Sequence, residues 1–138
     1  MQRTLAIVKP DGVATGLVGE VVKRIEGEGL RIVGMRMEQL TRTKAEGFYY
    51  VHRDKPFFVS LMEFMTSGPV VLMTLEGVDA IKRWRSLMGA TNPEKADPGT
   101  IRRDMATGIE RNVVHGSDAV DTASFEVNYF FTGTELMG

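Results

Sequence analysis

Residues 69–77 read PVVLMTLEG, a run too continuously apolar for a strand that keeps one face in water. Strands with a wet face alternate apolar and polar side chains, whereas strands covered on both faces do not. This segment is therefore expected at the centre of a sheet. A central strand needs neighbours on either side and helices over it, so the rest of the chain must supply both.

The other periodicities supply them. Residues 4–8 form a β-branched and aliphatic run that stops at Pro10-Asp11-Gly12, which reads as strand and then loop. Between residues 17 and 28, Val18, Val21, Val22 and Ile25 recur at helical spacing, and Gly27 and Gly29 end the pattern. Residues 30–40 alternate as a strand in which Gly34 marks either a bulge or a close backbone approach. Thr43 and Glu46 have capping-box spacing and predict a short helix through Tyr50. Pro56 is expected in the first turn of another, containing FFVSLMEFM. Residues 78–88 read as helix. From 89 to 113 runs a Pro/Gly/Asn/Asp-rich stretch containing GATNPEKADPGT, with one helical piece at residues 100–105. A loop of that length in a compact domain is usually functional. The segment VVH is expected as a short last strand. A final helix should begin near Ser117 or Asp118 and turn Val120, Ala123, Val127 and Phe130 to the core. The order β-α-β-αα-β-α-loop-β-α predicts an α+β layer sandwich.

Length and composition set outer limits. The 138 residues suit one domain, 1–138, and the formal net charge of −1 gives no global pull towards nucleic acid or membrane, so any anion site must be local. Without cysteine there is no thiolate nucleophile, disulfide or cysteine metal cluster. The first apolar run, LAIV, is too short for a signal sequence or a membrane span, so a soluble cytoplasmic protein is expected.

Of the two histidines, His115 stands where a strand should end and a helix begin. It is either a core imidazole satisfied by hydrogen bonds or a nucleophile or base, since neutral imidazole offers an unprotonated nitrogen near pH 7. Ser117 and Asp118 beside it do not make a hydrolytic triad, because all three share one short turn and no G-x-S-x-G elbow is present. His52 is the only other imidazole, which argues against a histidine metal site. KPDGVATGLVG lies between strand and helix as phosphate loops do, but lacks the spacing of a P-loop; its glycines could equally serve turn geometry alone. Arg85 and Arg102 could be ordinary surface charges, and the aromatics of KPFF ordinary core.

Taken together, VKPDGV, GLVGE, KPFF, EFMTSGPVV, GATNP, PGTIR and RNVVHGSD occur in the order and at the spacings of the nucleoside diphosphate kinases, which the chain resembles from about Thr4 to Phe131. The resemblance implies a ferredoxin-like βαββαβ sandwich with a four-stranded antiparallel sheet, extra helices and a long loop before the last strand. It implies ping-pong transfer of a γ-phosphoryl group between nucleoside tri- and diphosphates, through a phosphohistidine on His115. By the same match Lys9, Arg85, Thr91 and Arg102 would contact phosphates, Tyr49 would lie near the reacting one, and Mg²⁺ would ride on the nucleotide. Glu126 would orient the imidazole with support from Ser117, both on the first turns of the last helix. Asn112 and Lys9 would hold the ribose 3′-hydroxyl, while Phe57, Leu61 and Ile109 would receive the base, with no carboxylate or amide assigned to its edge. Ala119 and Ile109 depart from the family's frequent serine and valine, away from the phosphoryl path. The resemblance also implies a homo-oligomer built from dimers; the sequence stops at Gly138 and does not choose tetramer or hexamer. The rival readings are a catalytically silent nucleotide-binding or interaction module, which losing His115, Lys9 or Arg102 would favour, and a base-specific kinase, which needs a second nucleotide pocket.

Overall fold

β3 (Val70–Gly77) takes the inner position that its apolar run demands. In the computed structural model, which describes residues 1–138, it pairs antiparallel with β1 (Gln2–Val8) on one side and β2 (Arg31–Glu38) on the other. β4 (Val114–Gly116) adds to the free edge of β1, which gives the order β2-β3-β1-β4 of a ferredoxin-like sheet. Side chains alternate between the two faces of a strand. Leu5, Ile7 and Leu72 therefore face one core with Phe48, Met62 and Phe130, while Ala6, Val8, Met73 and Leu75 face a second with Ile25, Trp84 and Ile101. Helices α3 (Arg42–Phe48), α4 (Phe58–Met65) and α7 (Val120–Phe130) contribute to the first core; α2 (Val18–Gly27), α5 (Ala80–Met88) and α6 (Ile101–Met105) contribute to the second. No helix is long and apolar enough to cross a membrane.

Gly34 serves both purposes that a strand glycine can. The β2–β3 register shifts between Ile32 and Gly34, and a Cβ on Gly34 would lie 2.7 Å from Leu136 Cδ2 and 3.1 Å from the Phe131 ring. Several element starts differ from the sequence expectation, each for a local reason. The Pro10-Asp11-Gly12 segment is not loop but a one-turn helix, α1 (Pro10–Ala14), with proline at its start where no amide donor is needed. Thr41, not Thr43, caps α3, accepting from the Lys44 amide. Pro56 lies ahead of α4, whose N-cap is Phe57. α5 starts two residues late because Asp79 adopts φ +52°, outside the helical region. α7 begins at Val120 after an extended Ala119, so Ser117 and Asp118 precede the helix. Val120 consequently points to solvent, whereas Ala123, Val127 and Phe130 are buried as expected.

Candidate active site

β4 carries His115 to the sheet edge opposite Ile7. Two contacts fix its backbone. Trp84 Nε1 donates to the His115 carbonyl at 3.1 Å, and a Cβ at Gly116 would lie 2.6 Å from Trp84 Cδ1, so only glycine lets the strand lie this close to α5. The imidazole meets the Phe48 ring at 5.4 Å and the Tyr49 ring at 6.2 Å, both edge-on. β4 ends at Gly116, and the Ser117 hydroxyl oxygen takes the place of a further strand carbonyl by accepting the Leu5 amide at 3.2 Å. Ser117 in turn donates to Glu126 Oε1 at 2.8 Å, the same oxygen that lies 2.8 Å from His115 Nε2. A carboxylate oxygen only accepts, so Nε2 holds the ring hydrogen. In the neutral tautomer the lone pair is then on Nδ1.

Around this imidazole two of the three cations, Lys9 and Arg102, are buried rather than solvated. Lys9 Nζ donates to Asn112 Oδ1 at 2.8 Å, and Asn112 Nδ2 donates to the Thr91 carbonyl at 3.2 Å. Arg102 is only 7% exposed, and its guanidinium reaches the carbonyls of Gly89 at 3.1 Å, Asn112 at 3.4 Å and Val114 at 2.8 Å. No carboxylate pairs with it directly. Burial, then the neighbouring Arg85, lowers its pKa to about 10, partly opposed by Asp118. Burial also pulls the Lys9 ammonium down to about 8, with Arg102 adding to the effect and Asp11 and Glu110 opposing it. The Tyr49 hydroxyl is buried without a hydrogen-bond partner, and burial followed by Glu126 raises its pKa. Two desolvated cations and one unpaired hydroxyl are the polar lining expected where an anion is to be received.

The Lys9 shift has a sign that can be measured. Its pKa is lower folded than unfolded, so its burial opposes folding fully below about pH 8, and the penalty fades as pH rises towards 10.5. Lys9→Met should therefore raise Tm at pH 7, by about 5 °C, while weakening anion binding. The advantage over wild type should shrink between pH 8 and 10.5. A pH-independent or negative shift in paired thermal melts would contradict this account of Lys9.

His115, Lys9, Tyr49, Phe57, Leu61, Arg85, Thr91, Arg102, Ile109 and Asn112 all line one cleft of about 470 Å³. Ser117 and Glu126 do not line it; they support the imidazole from behind. Glu126 lies on the second turn of α7 and Ser117 ahead of it, rather than both on its first turns. Phe57 and Ile109 are exposed at the mouth, and Phe57 and Phe58 part company, the second packing on the core. Arg85 is held by Asp118 at 2.6 Å. The lining also includes His52, Glu110 and Asp118, to which sequence reasoning gave no role there. Glu110 puts a carboxylate on the wall shared with Phe57, Leu61 and Ile109, where none was expected, and the Ser60 hydroxyl donates to its two oxygens at 3.1 and 2.9 Å. Asp118 was visible in HGSD, but nothing near Glu110 in sequence signals that it faces α4. A larger cleft of about 820 Å³ on the adjoining face shares only Arg85 and Asp118 with this one and has no imidazole.

Fold and cleft together define a ferredoxin-like protein whose His115 imidazole faces a cleft lined by the cations Lys9, Arg85 and Arg102. The family model described as nucleoside diphosphate kinase matches residues 2–136. A nucleoside diphosphate kinase of Desulfosudis oleivorans is 67% identical across all of this chain and 99% of its own, and one of Desulforapulum autotrophicum is 61% identical across all of both. Among solved structures, the Aquifex aeolicus nucleoside diphosphate kinase superposes with a TM-score of 0.96 at 45% identity, covering 99% of each chain. A Halobacterium salinarum enzyme of the same name, in complex with CDP, gives 0.96 and 45% over 99% of this chain and 91% of that one. The chain belongs to the nucleoside diphosphate kinase family.

Proposed function

We propose that the chain transfers the γ-phosphoryl group of a nucleoside triphosphate to a nucleoside diphosphate, with His115 Nδ1 as the intermediate carrier. The observation that carries this reading is the hydrogen bond from Nε2 to Glu126, which leaves Nδ1 as the free lone pair. In the first half-reaction that lone pair forms the N–P bond while the bond from phosphorus to the β-phosphate oxygen breaks, releasing the diphosphate. The ring keeps its Nε2 hydrogen and becomes cationic, and the Glu126 carboxylate compensates that charge. The second half-reaction runs the same steps backwards onto another diphosphate in the same cleft.

Phosphoryl transfer chiefly requires in-line placement and neutralisation of spread negative charge. Lys9, Arg85 and Arg102 supply fixed cations, Thr91 a hydroxyl, and the Tyr49 hydroxyl lacks any protein partner. Asn112, tied to Lys9, would anchor the ribose 3′-hydroxyl. The cleft fits a divalent ion delivered on the phosphates: no three His, Cys, Asp or Glu side chains converge to hold one, and Glu110 and Asp118 line the cleft singly. Bound Mg²⁺ would add neutralising charge at the phosphates. The intact histidine and its cations favour an enzyme over a silent binding module. The same reading makes residues 1–138 one cytoplasmic domain that assembles as a homo-oligomer, with neither nucleic acid nor membrane as partner.

Two measurements test it. Initial velocities varied in both nucleotides should give parallel double-reciprocal lines; intersecting lines would mean direct transfer. Across ADP, GDP, CDP, UDP and TDP, kcat/KM should spread over about one to two decades, because stacking on Phe57 contributes about 1–3 kcal/mol per base and tolerates any ring. Phe57→Ala should compress that spread. Strict selection of one base would overturn the assignment of the base to Phe57, Leu61 and Ile109.

A further inference from the structure

Between Asn112 and His115 the backbone makes a turn that a valine should avoid. Val113 has φ +73°, and the Val114 amide donates to the Asn112 carbonyl at 2.8 Å, which closes a three-residue γ-turn with Val113 at its centre. A β-branched residue in this region is a steric outlier, the turn itself is strained, and such strain persists only where surrounding contacts over-determine it. The surroundings do so from two directions. Arg102 holds the carbonyls of Asn112 and Val114. On the other side, the Lys9 amide donates to the Val113 carbonyl at 2.8 Å, and Asp11 Oδ2 accepts the Val113 amide at 3.1 Å, across 102 residues of sequence. Gly12 completes this second clamp, since a Cβ there would lie 2.8 Å from Val8 Cγ1 and 3.0 Å from Val113 Cγ1.

We propose that Asp11 is a positioning residue for the reaction: its carboxylate holds the Val113 amide in the strained turn and thereby aims Asn112 at the sugar and His115 at the phosphate. Asp11 does not line the cleft. It acts through the peptide on which two cleft residues hang, Asn112 immediately before Val113 and His115 two residues after it. The one other Asp11 side-chain oxygen, Oδ1, is buried without a partner, so the Val113 amide is the side chain's one hydrogen-bond partner. Relaxation of Val113 to φ < 0 would rotate the Asn112–Val113 peptide and move both groups at once, and misplacement by about 1 Å can cost 10²-fold in rate. The role rests on the phosphohistidine reading above.

A double-mutant cycle separates aim from charge, because Asp11 also acts electrostatically on Lys9. Asp11→Ala should slow single-turnover phosphorylation of His115 by about 10²-fold while the thermal transition stays cooperative. Glycine adopts positive φ without strain. In a Val113→Gly background the same Asp11→Ala change should therefore cost less than about fivefold, a coupling that additive sites do not show. Asp11→Asn, which keeps an acceptor for the amide, should stay closer to wild type than Asp11→Ala. Equal losses in both backgrounds, or Asp11→Asn as damaging as Asp11→Ala, would show that the charge acts on Lys9 and overturn the proposal. Amide hydrogen exchange gives a readout free of activity: Asp11→Ala should lose at least tenfold protection at Val113, and retained protection would also overturn it. If wild-type protein fails to take up phosphate on His115, the phosphohistidine reading fails instead, and the exchange result still judges the clamp.

Discussion

Incubated with γ-labelled ATP and Mg²⁺ but no acceptor, the protein should take up one phosphoryl group on His115, and His115→Ala should take up none. The imidazole is the only nitrogen nucleophile in the cleft whose hydrogen is held away from the substrate side, by Glu126 on Nε2. Steady-state turnover of the alanine variant should fall by roughly 10⁴-fold or more, since no neighbouring group can replace a covalent carrier. A phosphoramidate is lost in acid and survives base, unlike a serine ester, so the stability of the label identifies the bond before sequencing does. Glu126→Gln should be milder, roughly 10- to 100-fold, because the amide oxygen can still accept from Ser117 while the compensating charge is gone. Label on Ser117, or uptake persisting in His115→Ala, would sink the mechanism. A loss in Glu126→Gln as severe as in His115→Ala, with the fold intact, would mean that Glu126 does more than orient.

Arg102→Ala should lower kcat by about 10²-fold or more, the second-largest loss of any single change in the cleft. The guanidinium has no carboxylate partner and already lies close enough to Arg85 to feel its charge, so a phosphoryl group moving between nucleotide and imidazole gains its full attraction. Removal also strips donors from the carbonyls of Gly89, Asn112 and Val114. Arg102→Lys divides the two contributions. It restores a charge but cannot span three carbonyls from two separate segments, so partial rescue of kcat with lowered Tm is expected. Arg85→Ala should instead act mainly on KM, because Arg85 is half-exposed and already engaged with Asp118. An Arg102→Ala enzyme with normal kcat and raised KM would mark Arg102 as a uniform binding contact.

The distance between pattern and structure is clearest at the ends of elements and at polar side chains. The centre of the sheet was legible because β3 is buried on both faces and cannot hide that in its composition. Helix starts were not: capping at Thr41 rather than Thr43 and the late start of α7 depend on one side-chain hydrogen bond and one extended residue, each worth about 1 kcal/mol. Arg85 and Arg102 look alike in sequence, yet one is paired at the surface and the other buried among carbonyls.

What the sequence by itself determined is the local and the periodic: strands of the right burial, helices with one apolar face, and a histidine on the short last strand, which continues one residue further than the segment VVH suggested and ends ahead of the final helix. Those follow from propensity and side-chain alternation, which act over a few residues. Only the tertiary structure decided which groups meet. It set the Ser117 hydroxyl under the Leu5 amide, faced Glu110 to Ser60, and brought Asp11 to the strained amide of Val113. It also desolvated Lys9 and Arg102 side by side. Partner identity and burial depend on how separate stretches pack against one another, and no spacing along a chain encodes the dielectric that results.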